Sequence, residues 1–197
     1  MKKYIFLLTI VLTSFTATLN DKVDRIGVPG PLTFNKTTFD LSWTDKPNDT
    51  YYIQEYLPKG ENSENFNQMV TLHLFETDID LKDAVRQKMK ELEIRKKTDP
   101  VCNYLVTESK DRDKQYMVDF LLGQSKNDKM TIVEFNIYHY KKVDLADNKT
   151  GILIYAYTKR AYGNDIKPFL SNLEEDRQKL LSTMITLEKP TVKLVDK

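Results

Sequence analysis

The sequence predicts an α+β fold in which a single antiparallel sheet of about six to seven strands carries two main helices. In most segments apolar and polar residues alternate with a period of two, which is typical of strands that turn one face to a core. Two other segments have helical spacing, and the links between successive strands are short and polar, as in antiparallel meanders. The predicted order is therefore three strands, a helix, four strands and a final helix.

The N-terminal segment is predicted to be a signal peptide rather than part of the fold. Lys2 and Lys3 precede an uncharged, mostly apolar run over residues 4–15, and small residues follow at 16–18. That run is shorter than the roughly 20 apolar residues that a membrane-spanning helix needs. We expect residues 1–20 to be removed on export, and an uncleaved N-terminal anchor is the alternative. Rich use of Lys, Asn and Asp favours a bacterial chain, so the expected location is secreted or periplasmic.

The charge balance argues against two classes of partner. The chain has 30 basic and 29 acidic residues, and removing residues 1–20 takes away two lysines and no acid, which leaves 28 against 29. A nearly neutral chain does not suit nucleic acid, which needs a basic face to neutralise phosphates, or simple adhesion to anionic lipid. No integral membrane span is predicted in the mature chain, and the oligomeric state is left open.

The first part of the chain is predicted to form an extended lead-in and three strands. Residues 21–38 are polar and irregular, and two glycines and two prolines fall within 27–31. We therefore expect an extended N-terminal lead-in over 21–38. Regular alternation predicts strands over residues 39–43, 51–57 and 68–75.

The remaining elements are a helix, four more strands and a second helix. Leu81, Val85 and Leu92 recur at helical spacing within 80–97, and the basic residues at its end suit the carbonyl end of a helix dipole. Helical spacing returns over 165–187. The expected layout is one α+β domain over residues 39–189 and a polar tail over 190–197. The four predicted strands between the helices span residues 101–109, 115–124, 130–141 and 151–161.

A recognisable order of elements follows the lead-in: a Phe-x-Leu-x-Trp strand over residues 39–43, a polar-aromatic strand, an antiparallel sheet and a long C-terminal helix. Over residues 34–188 this order resembles the PsbP-like and DcrB-like families of exported domains. The resemblance implies an antiparallel sheet paired with helices, a periplasmic or lumenal location, and a binding or assembly role without catalysis. It transfers no site residue to this chain, which lacks the lipoprotein cysteine of the anchored members.

The familiar catalytic and cofactor motifs are absent from the sequence, including glycine-rich phosphate loops, G-x-S-x-G, H-E-x-x-H and C-x-x-C. His73 and His139 are the only histidines. Neither has a second metal ligand at a recognised spacing, so no metal and no cofactor is predicted. Cys102, the only cysteine, is expected to be a small buried apolar residue; a reactive thiol or an intermolecular disulfide is the alternative.

One face of the predicted sheet gathers a mixed set of polar side chains. His73, Glu55 and Glu134 are weak candidates for acid–base catalysis, because histidine titrates near neutral pH and burial raises the pKa of a carboxylate. The competing interpretation is the solvated side of a sheet with cross-strand ion pairs, so no catalytic residue is assigned. Alternation places on this face Glu55, His73, Asp119, Glu134, Asn136, Tyr138 and Arg160.

A binding surface is the second hypothesis for the same region. The chain has eleven tyrosines, and tyrosine offers a large contact area with a polar tip. We expect an exposed polar-aromatic patch, bordered by the Pro-Lys-Gly-Glu corner that follows residue 57. Ordinary packing of strand tyrosines at the core edge is the alternative. The predicted binding residues are Tyr52, Tyr56, Lys59, Glu61, Tyr138, Tyr140 and Arg160.

Together these features predict an exported, non-enzymatic domain that binds a protein or envelope component through the polar-aromatic face and its rim. One specific version is an immunity or inhibitor protein against an envelope-targeted toxin, by analogy with other small exported domains. The alternative is a small secreted hydrolase that uses His73 or His139 with a carboxylate. A concave pocket with a His–carboxylate pair at hydrogen-bond distance would favour the hydrolase.

Overall fold

The computed structural model describes residues 22–109 and 115–195, so the predicted signal peptide lies outside the described residues. The described chain forms eight strands and two α-helices in the order ββββαββββα. The strands are β1 (Leu32–Phe34), β2 (Thr37–Asn48), β3 (Tyr51–Leu57), β4 (Gln68–Glu76), β5 (Asn103–Glu108), β6 (Tyr116–Lys126), β7 (Lys129–Asp144) and β8 (Thr150–Tyr162). The helices are α1 (Leu81–Arg95) and α2 (Ile166–Thr186).

All eight strands belong to one sheet, in the order β1-β2-β3-β4-β8-β7-β6-β5. Every neighbouring pair is antiparallel. The sheet thus consists of two meanders that meet where β4 pairs with β8, and α1 carries the chain from the centre to the far edge. The predicted α+β class and the single antiparallel sheet are confirmed, whereas the predicted number of strands falls short of the eight observed.

The strand missed by the sequence pattern is β1, which lies inside the predicted lead-in. It is three residues long, too short for alternation to be seen. A two-residue turn joins it to β2, with Asn35 and Lys36 at φ values of 46° and 66°. Both values match the type of turn that suits the twist of a hairpin, and asparagine tolerates this conformation well. The predicted domain start at residue 39 therefore falls within β2.

Both faces of the sheet are covered, each by one helix. On the first face, called the α1 face, Leu81, Val85 and Leu92 of α1 pack into one core cluster with residues of β6, β7 and β8. On the opposite face, called the α2 face, Leu180 and Met184 of α2 belong to a larger cluster. The expectation of one covered and one solvated face is therefore wrong.

The helix α1 begins and ends as its sequence indicates. Asp80 precedes it, and its carboxylate accepts a hydrogen bond from the N–H of Lys82 at 2.8 Å, as an N-cap residue should. The apolar stripe faces the sheet, and Lys88 is buried within that stripe. Arg95 in the last turn binds the Asp99 carboxylate at 3.0 Å and the carbonyl of Gly123 at 2.5 Å, which fixes the C-terminal end of α1 to β6.

The lead-in and the C-terminal tail pack against each other on the α2 face. Ile26, Val28 and Val192 are buried members of its core cluster. The N–H of Lys193 donates to the carbonyl of Ile26 at 2.8 Å, and the N–H of Val195 donates to the carbonyl of Arg25 at 3.0 Å. Backbone hydrogen bonds thus join the two segments predicted to lie outside the domain to each other, and their buried apolar side chains pack into its core.

Within residues 22–109 and 115–195, neither helix combines the length and the apolar character that a membrane crossing requires.

Candidate functional site

The predicted polar set lies mostly on the α1 face. Strand register places Glu55, His73, Glu134, Asn136, Tyr138 and Arg160 there. Asp119 is the exception, because it lies opposite Ile137 and points to the α2 face. Near the turn between β6 and β7, Ser125 pairs with Met130 but Gln124 pairs with Ile132, so Thr131 is one extra residue in β7. That single bulge reverses the alternation, so the predicted position of Asp119 is wrong.

The three catalytic candidates do not form one site. Glu55 lies on β3, His73 on β4 and Glu134 on β7, and three strand spacings separate β3 from β7. At about 4.8 Å per spacing, the backbones of Glu55 and Glu134 are about 14 Å apart across the sheet alone. Each of the three side chains is also engaged by a different partner, so no proton relay joins them.

His73 is a buried, neutral residue with an aromatic partner. Its Nδ1 atom is 2.9 Å from the hydroxyl of Tyr51, and the Tyr51 ring stacks on the ring of Phe75. Burial, assisted by the nearby positive charge of Lys88, lowers the pKa of His73 to about 3. An imidazole with so low a pKa is a weak base near neutral pH, so this environment does not suit a general base.

Glu55 is paired with a loop residue rather than with a histidine. The hydroxyl of Ser63 donates to its Oε2 atom at 3.0 Å. Burial raises the pKa of Glu55, whereas the Ser63 hydrogen bond and the charge of Arg160 act in the opposite direction. The carboxylate therefore connects β3 to the loop that follows it.

The end of the α1 face nearest to that loop is occupied by an ion pair. Arg160 Nε donates to Glu134 Oε1 at 2.5 Å, and the Arg160 guanidinium lies 3.9 Å from the centre of the Phe66 ring. Both charged side chains are nearly buried, with 11% and 9% of their surface exposed. Arg160, a predicted binding residue, is thus neutralised within the chain.

Asn136 and Lys88 complete the polar part of the α1 face. The Oδ1 atom of Asn136 accepts a hydrogen bond from the Thr158 hydroxyl at 2.7 Å, while its Nδ2 atom has no partner among the described residues. The Lys88 ammonium lies about equally far from the Phe120 and Tyr138 rings, at 5.0 and 5.1 Å, and bonds to Glu91 at 3.2 Å. No group of three or more metal-ligating side chains occurs in the described part of the chain.

The expected exposed tyrosine patch is wrong, because the helices and the lead-in cover the faces on which these rings lie. Tyr138 and Tyr140 are 9% and 2% exposed beneath α1. Tyr56 is fully buried on the α2 face, where its hydroxyl donates to the carbonyl of Val28 at 2.5 Å. Tyr52 is half-buried, with the ammonium of Lys46 at 5.0 Å from its ring.

The predicted rim loop holds itself closed. The Oε2 atom of Glu61 accepts hydrogen bonds from the N–H groups of Asn67 and Gln68, at 2.8 and 3.1 Å. Lys59 is exposed in the preceding turn. The carboxylate of Glu61 thus has a structural role, and only Lys59 of the predicted rim residues presents its charge to solvent.

The second histidine and the cysteine add no reactive group. His139 is buried on the α2 face, and burial, with Lys189 and Lys141 nearby, lowers its pKa to about 4. Cys102 is buried, with its Sγ atom 3.6 Å from the carbonyl oxygen of Leu92. Burial raises the pKa of the Cys102 thiol, so it behaves as the small buried residue that the sequence suggested.

A shallow depression of about 300 Å³ lies between the end of β8 and the start of α2. Lys159 and Asp176, both among its lining residues, form an ion pair with each other. Phe169 adds an aromatic wall at 5.7 Å from the Lys159 ammonium. The charges of this depression are therefore already matched within the chain.

Within the described ranges, the strand β5 is an open element that the sequence analysis did not single out. It forms the end of the sheet, and all of its residues except Tyr104 are exposed. Leu105 and Val106 are 56% and 37% exposed. Being neighbours in a strand, they project from opposite faces, so β5 shows no regular alternation. Two adjacent apolar residues without alternation are the signal that could have marked an edge strand.

The backbone of β5 has hydrogen-bonding groups directed away from the sheet. The N–H of Ser109 donates to the carbonyl of Gln115 at 2.8 Å, in register with the β5–β6 pairing. In an antiparallel pair such bonding residues alternate with residues whose N–H and C=O groups point outward. This alternation directs the backbone N–H and C=O groups of Tyr104, Val106 and Glu108 to the free edge, where the sheet as described has no further strand.

The opposite end of the sheet is protected, which makes the openness of β5 distinctive. β1 is only three residues long. Beyond β1, the edge of β2 contains Pro47 and register shifts at Leu41–Trp43 and Asp45–Asn48. Short strands, prolines and bulges are the devices that keep edges from pairing with other chains. β5 has none of them: it contains no proline, and its pairing with β6 has no shift.

Comparison with known proteins gives one match. A protein-family model covers residues 26–188, which includes every strand and both helices. No curated protein and no solved structure matches the chain. The family match does not test the resemblance to the PsbP-like and DcrB-like families, which stays a prediction.

Proposed function

The chain belongs to the protein family matched over residues 26–188, and from this premise we propose that it is an exported, non-enzymatic binding or assembly module. Its partner would be a protein, such as a protein component of the envelope, bound as an added strand on β5. This departs from the polar-aromatic face as the binding surface, because that face is covered by α1. Location in the periplasm, and a role as an immunity or inhibitor protein, remain specific versions of the proposal.

The observation that carries the proposal is the open edge of β5. An exposed strand edge offers a row of N–H and C=O groups to an extended segment of another chain, and main-chain hydrogen bonds supply much of the affinity. The exposed side chains of Leu105 and Val106 would add apolar contacts on the two sides of the added strand. An edge without protective features is costly to a secreted protein unless it is used, since it invites aggregation.

The competing hypothesis, a secreted hydrolase, has less support. It requires a histidine and a carboxylate at hydrogen-bond distance. The partner of His73 is Tyr51. His139 has no hydrogen-bond partner at Nδ1 within the described ranges. Loss of a hydrolytic turnover on changing His73 to alanine would nevertheless favour this hypothesis over the binding module.

The test is capture of a partner from the native envelope with the mature chain and with Val106→Pro. Proline removes the outward N–H of residue 106 but leaves the bonds between β5 and β6, and edge strands tolerate it at such positions. We expect Val106→Pro to lose the partner. The matched variant Val106→Ala keeps the N–H and should retain most of the binding.

Two checks make the result decisive. Circular dichroism must show that Val106→Pro folds. If this variant does not fold, Glu108→Pro takes its place, because the N–H of Glu108 also points to the free edge. Hydrogen exchange should slow at the amides of Val106 and Glu108 when the partner is bound. A partner that binds wild type and Val106→Pro equally would overturn the proposal.

A further inference from the structure

We infer that the segment added to β5 is an extended acidic stretch of another protein, selected by the basic flank of α1. This inference rests on the proposed function, because it concerns the same edge. It adds the chemistry of the partner, which the strand edge alone does not specify.

The position of α1 relative to β5 is the first step. Tyr104 of β5 bonds through its hydroxyl to Glu93 at 2.7 Å, and its ring lies 4.7 Å from the ammonium of Lys96. At the other end of β5, Glu108 accepts a hydrogen bond from the hydroxyl of Tyr116, which packs in one core cluster with Leu81 and Val85 of α1. The C-terminal end of α1 therefore lies beside the start of β5, and an earlier turn lies beside its end.

This arrangement makes one flank of α1 a wall beside the β5 edge. Helical spacing places Lys82, Arg86 and Glu93 on the same flank, since they are separated by four and seven residues. All three are exposed. A strand added to β5 would run along this wall, in the way that extended peptides lie between a strand and a helix in several recognition domains.

The charge of the wall is the second step. Seven basic and three acidic residues lie between Leu81 and Lys97, although the chain as a whole is nearly neutral. Ion pairs balance four of the seven bases: Arg86 with Asp83, Lys88 with Glu91, Lys96 with Glu93 and Arg95 with Asp99. Lys82, Lys90 and Lys97 remain without an ion pair among the described residues. The remaining basic excess lies on the helix that borders the open edge, where it would attract acidic side chains and repel basic ones.

The same charge argues against a second copy as the occupant. Pairing β5 with β5 around a two-fold axis would bring two basic α1 helices toward each other across the new strand pair. Like charges placed together at an interface are unfavourable. An acidic partner from another protein removes this conflict.

The test uses short synthetic peptides that share an alternating frame of Val and Thr and carry Glu, Gln or Lys at the remaining positions. Binding to the full mature chain is measured by fluorescence anisotropy at low and high salt. We expect the Glu peptide to bind about tenfold more tightly than the Lys peptide at low salt, and the difference to shrink as salt screens the charges.

Variants separate this inference from the proposed function. Lys82→Glu with Arg86→Glu should abolish the preference for the Glu peptide, while Lys167→Glu, an exposed change on α2, should leave it intact. Val106→Pro should abolish binding of every peptide. Equal binding of the three peptides, lost only in Val106→Pro, would overturn the acidic partner but leave the edge proposal standing.

Two further outcomes count against the inference. A failure of all peptides to bind would overturn both proposals. Dimerisation of the wild-type chain that Val106→Pro removes would identify a second copy as the occupant and overturn the acidic partner. Sedimentation across a range of protein concentrations reads out this outcome directly.

Discussion

Arg177 on α2 donates two parallel hydrogen bonds to the carboxylate of Asp119 on β6. Nε donates to Oδ2 at 2.7 Å and a terminal nitrogen donates to Oδ1 at 3.0 Å. Asp119 is only 5% exposed at its side chain, and Arg177 is 25% exposed. The pair fastens the middle of α2 to β6, and it depends on the bulge at Thr131 of β7, which places Asp119 opposite Ile137 and so on the α2 face.

Removing the arginine should be more harmful than removing the whole pair. In Arg177→Ala the Asp119 charge stays buried without a partner, which we expect to lower the free energy of unfolding by about 3 kcal/mol. Replacing both residues, as Asp119→Leu with Arg177→Met, should recover most of that loss. Urea titrations of the wild type, Arg177→Ala and the double variant measure these free energies of unfolding. A loss under about 0.5 kcal/mol in Arg177→Ala would show that the pair is solvated instead.

Stability should fall as the pH is lowered from neutral, because both histidines are buried in the neutral form. Burial lowers the pKa of His73 to about 3 and that of His139 to about 4. The unfolded chain binds protons near pH 6.5, where these folded histidines do not. The two histidines therefore make their full contribution to the free energy of unfolding above that pH. The contribution falls below it, by about 2 kcal/mol per histidine at pH 5.

Histidine variants isolate this effect from that of the carboxylates. The raised pKa of Glu55 acts in the opposite direction, since its contribution is greatest below the pKa of the unfolded chain and is lost as the pH rises. The measurement is the difference in urea midpoint between pH 7 and pH 5. His73→Asn and His139→Gln should each remove about half of the histidine effect, and an unchanged difference in both would contradict buried neutral histidines.

Tyr56→Phe should weaken the fold without changing partner binding. The variant removes the hydroxyl that links β3 to the carbonyl of Val28 in the lead-in, with an expected loss of about 1–2 kcal/mol. Tyr52→Phe, a matched change on a half-buried ring, should change stability by less than about 0.5 kcal/mol. If Tyr56→Phe impaired capture of the partner while stability stayed constant, the original assignment of Tyr56 to a binding surface would be restored.

Gly123→Ala should destabilise the packing between β6 and the segment that leads from α1 into β5. A Cβ atom at this position would lie 2.7 Å from Cγ2 of Val101 and 3.2 Å from the Asp99 carboxylate. The carboxylate also accepts a hydrogen bond from the Gly123 N–H at 2.7 Å. We expect overpacking to lower the free energy of unfolding by about 1–3 kcal/mol.

A double-mutant cycle checks that cause. Combining Gly123→Ala with Val101→Ala makes room for the new methyl group, so the two losses should not add. Additive losses would mean that the strain arises elsewhere.

The sequence predicts well what depends on local alternation. Glu55, His73 and Glu134 share a face as expected, because the pairings of β3 with β4, β4 with β8 and β8 with β7 have no register shift. Asp119 does not, because the extra residue Thr131 in β7 moves its partner from Asn136 to Ile137, and no residue type in that stretch indicates a bulge. The α1 helix was predicted close to its observed bounds from its cap and apolar stripe.

The location of the candidate site could not be predicted in the same way. Whether Tyr138 and Tyr140 meet solvent depends on where α1 packs, which is a long-range property. The openness of β5 depends on the strand order, since a strand between two neighbours would expose none of its hydrogen-bonding groups. Alternation assigns faces within a strand, but it gives no information on which strand is last.

The pairing of Lys193 with Ile26 has a geometric consequence for the whole molecule. Both ends of the folded region leave from the same place, next to β3, where the Arg25 N–H donates to Gln54. Five strand spacings, about 24 Å, separate β3 from β5. A molecule tethered at residue 22 or 195, to a surface in an assay or to another domain, would therefore carry β5 away from the attachment point.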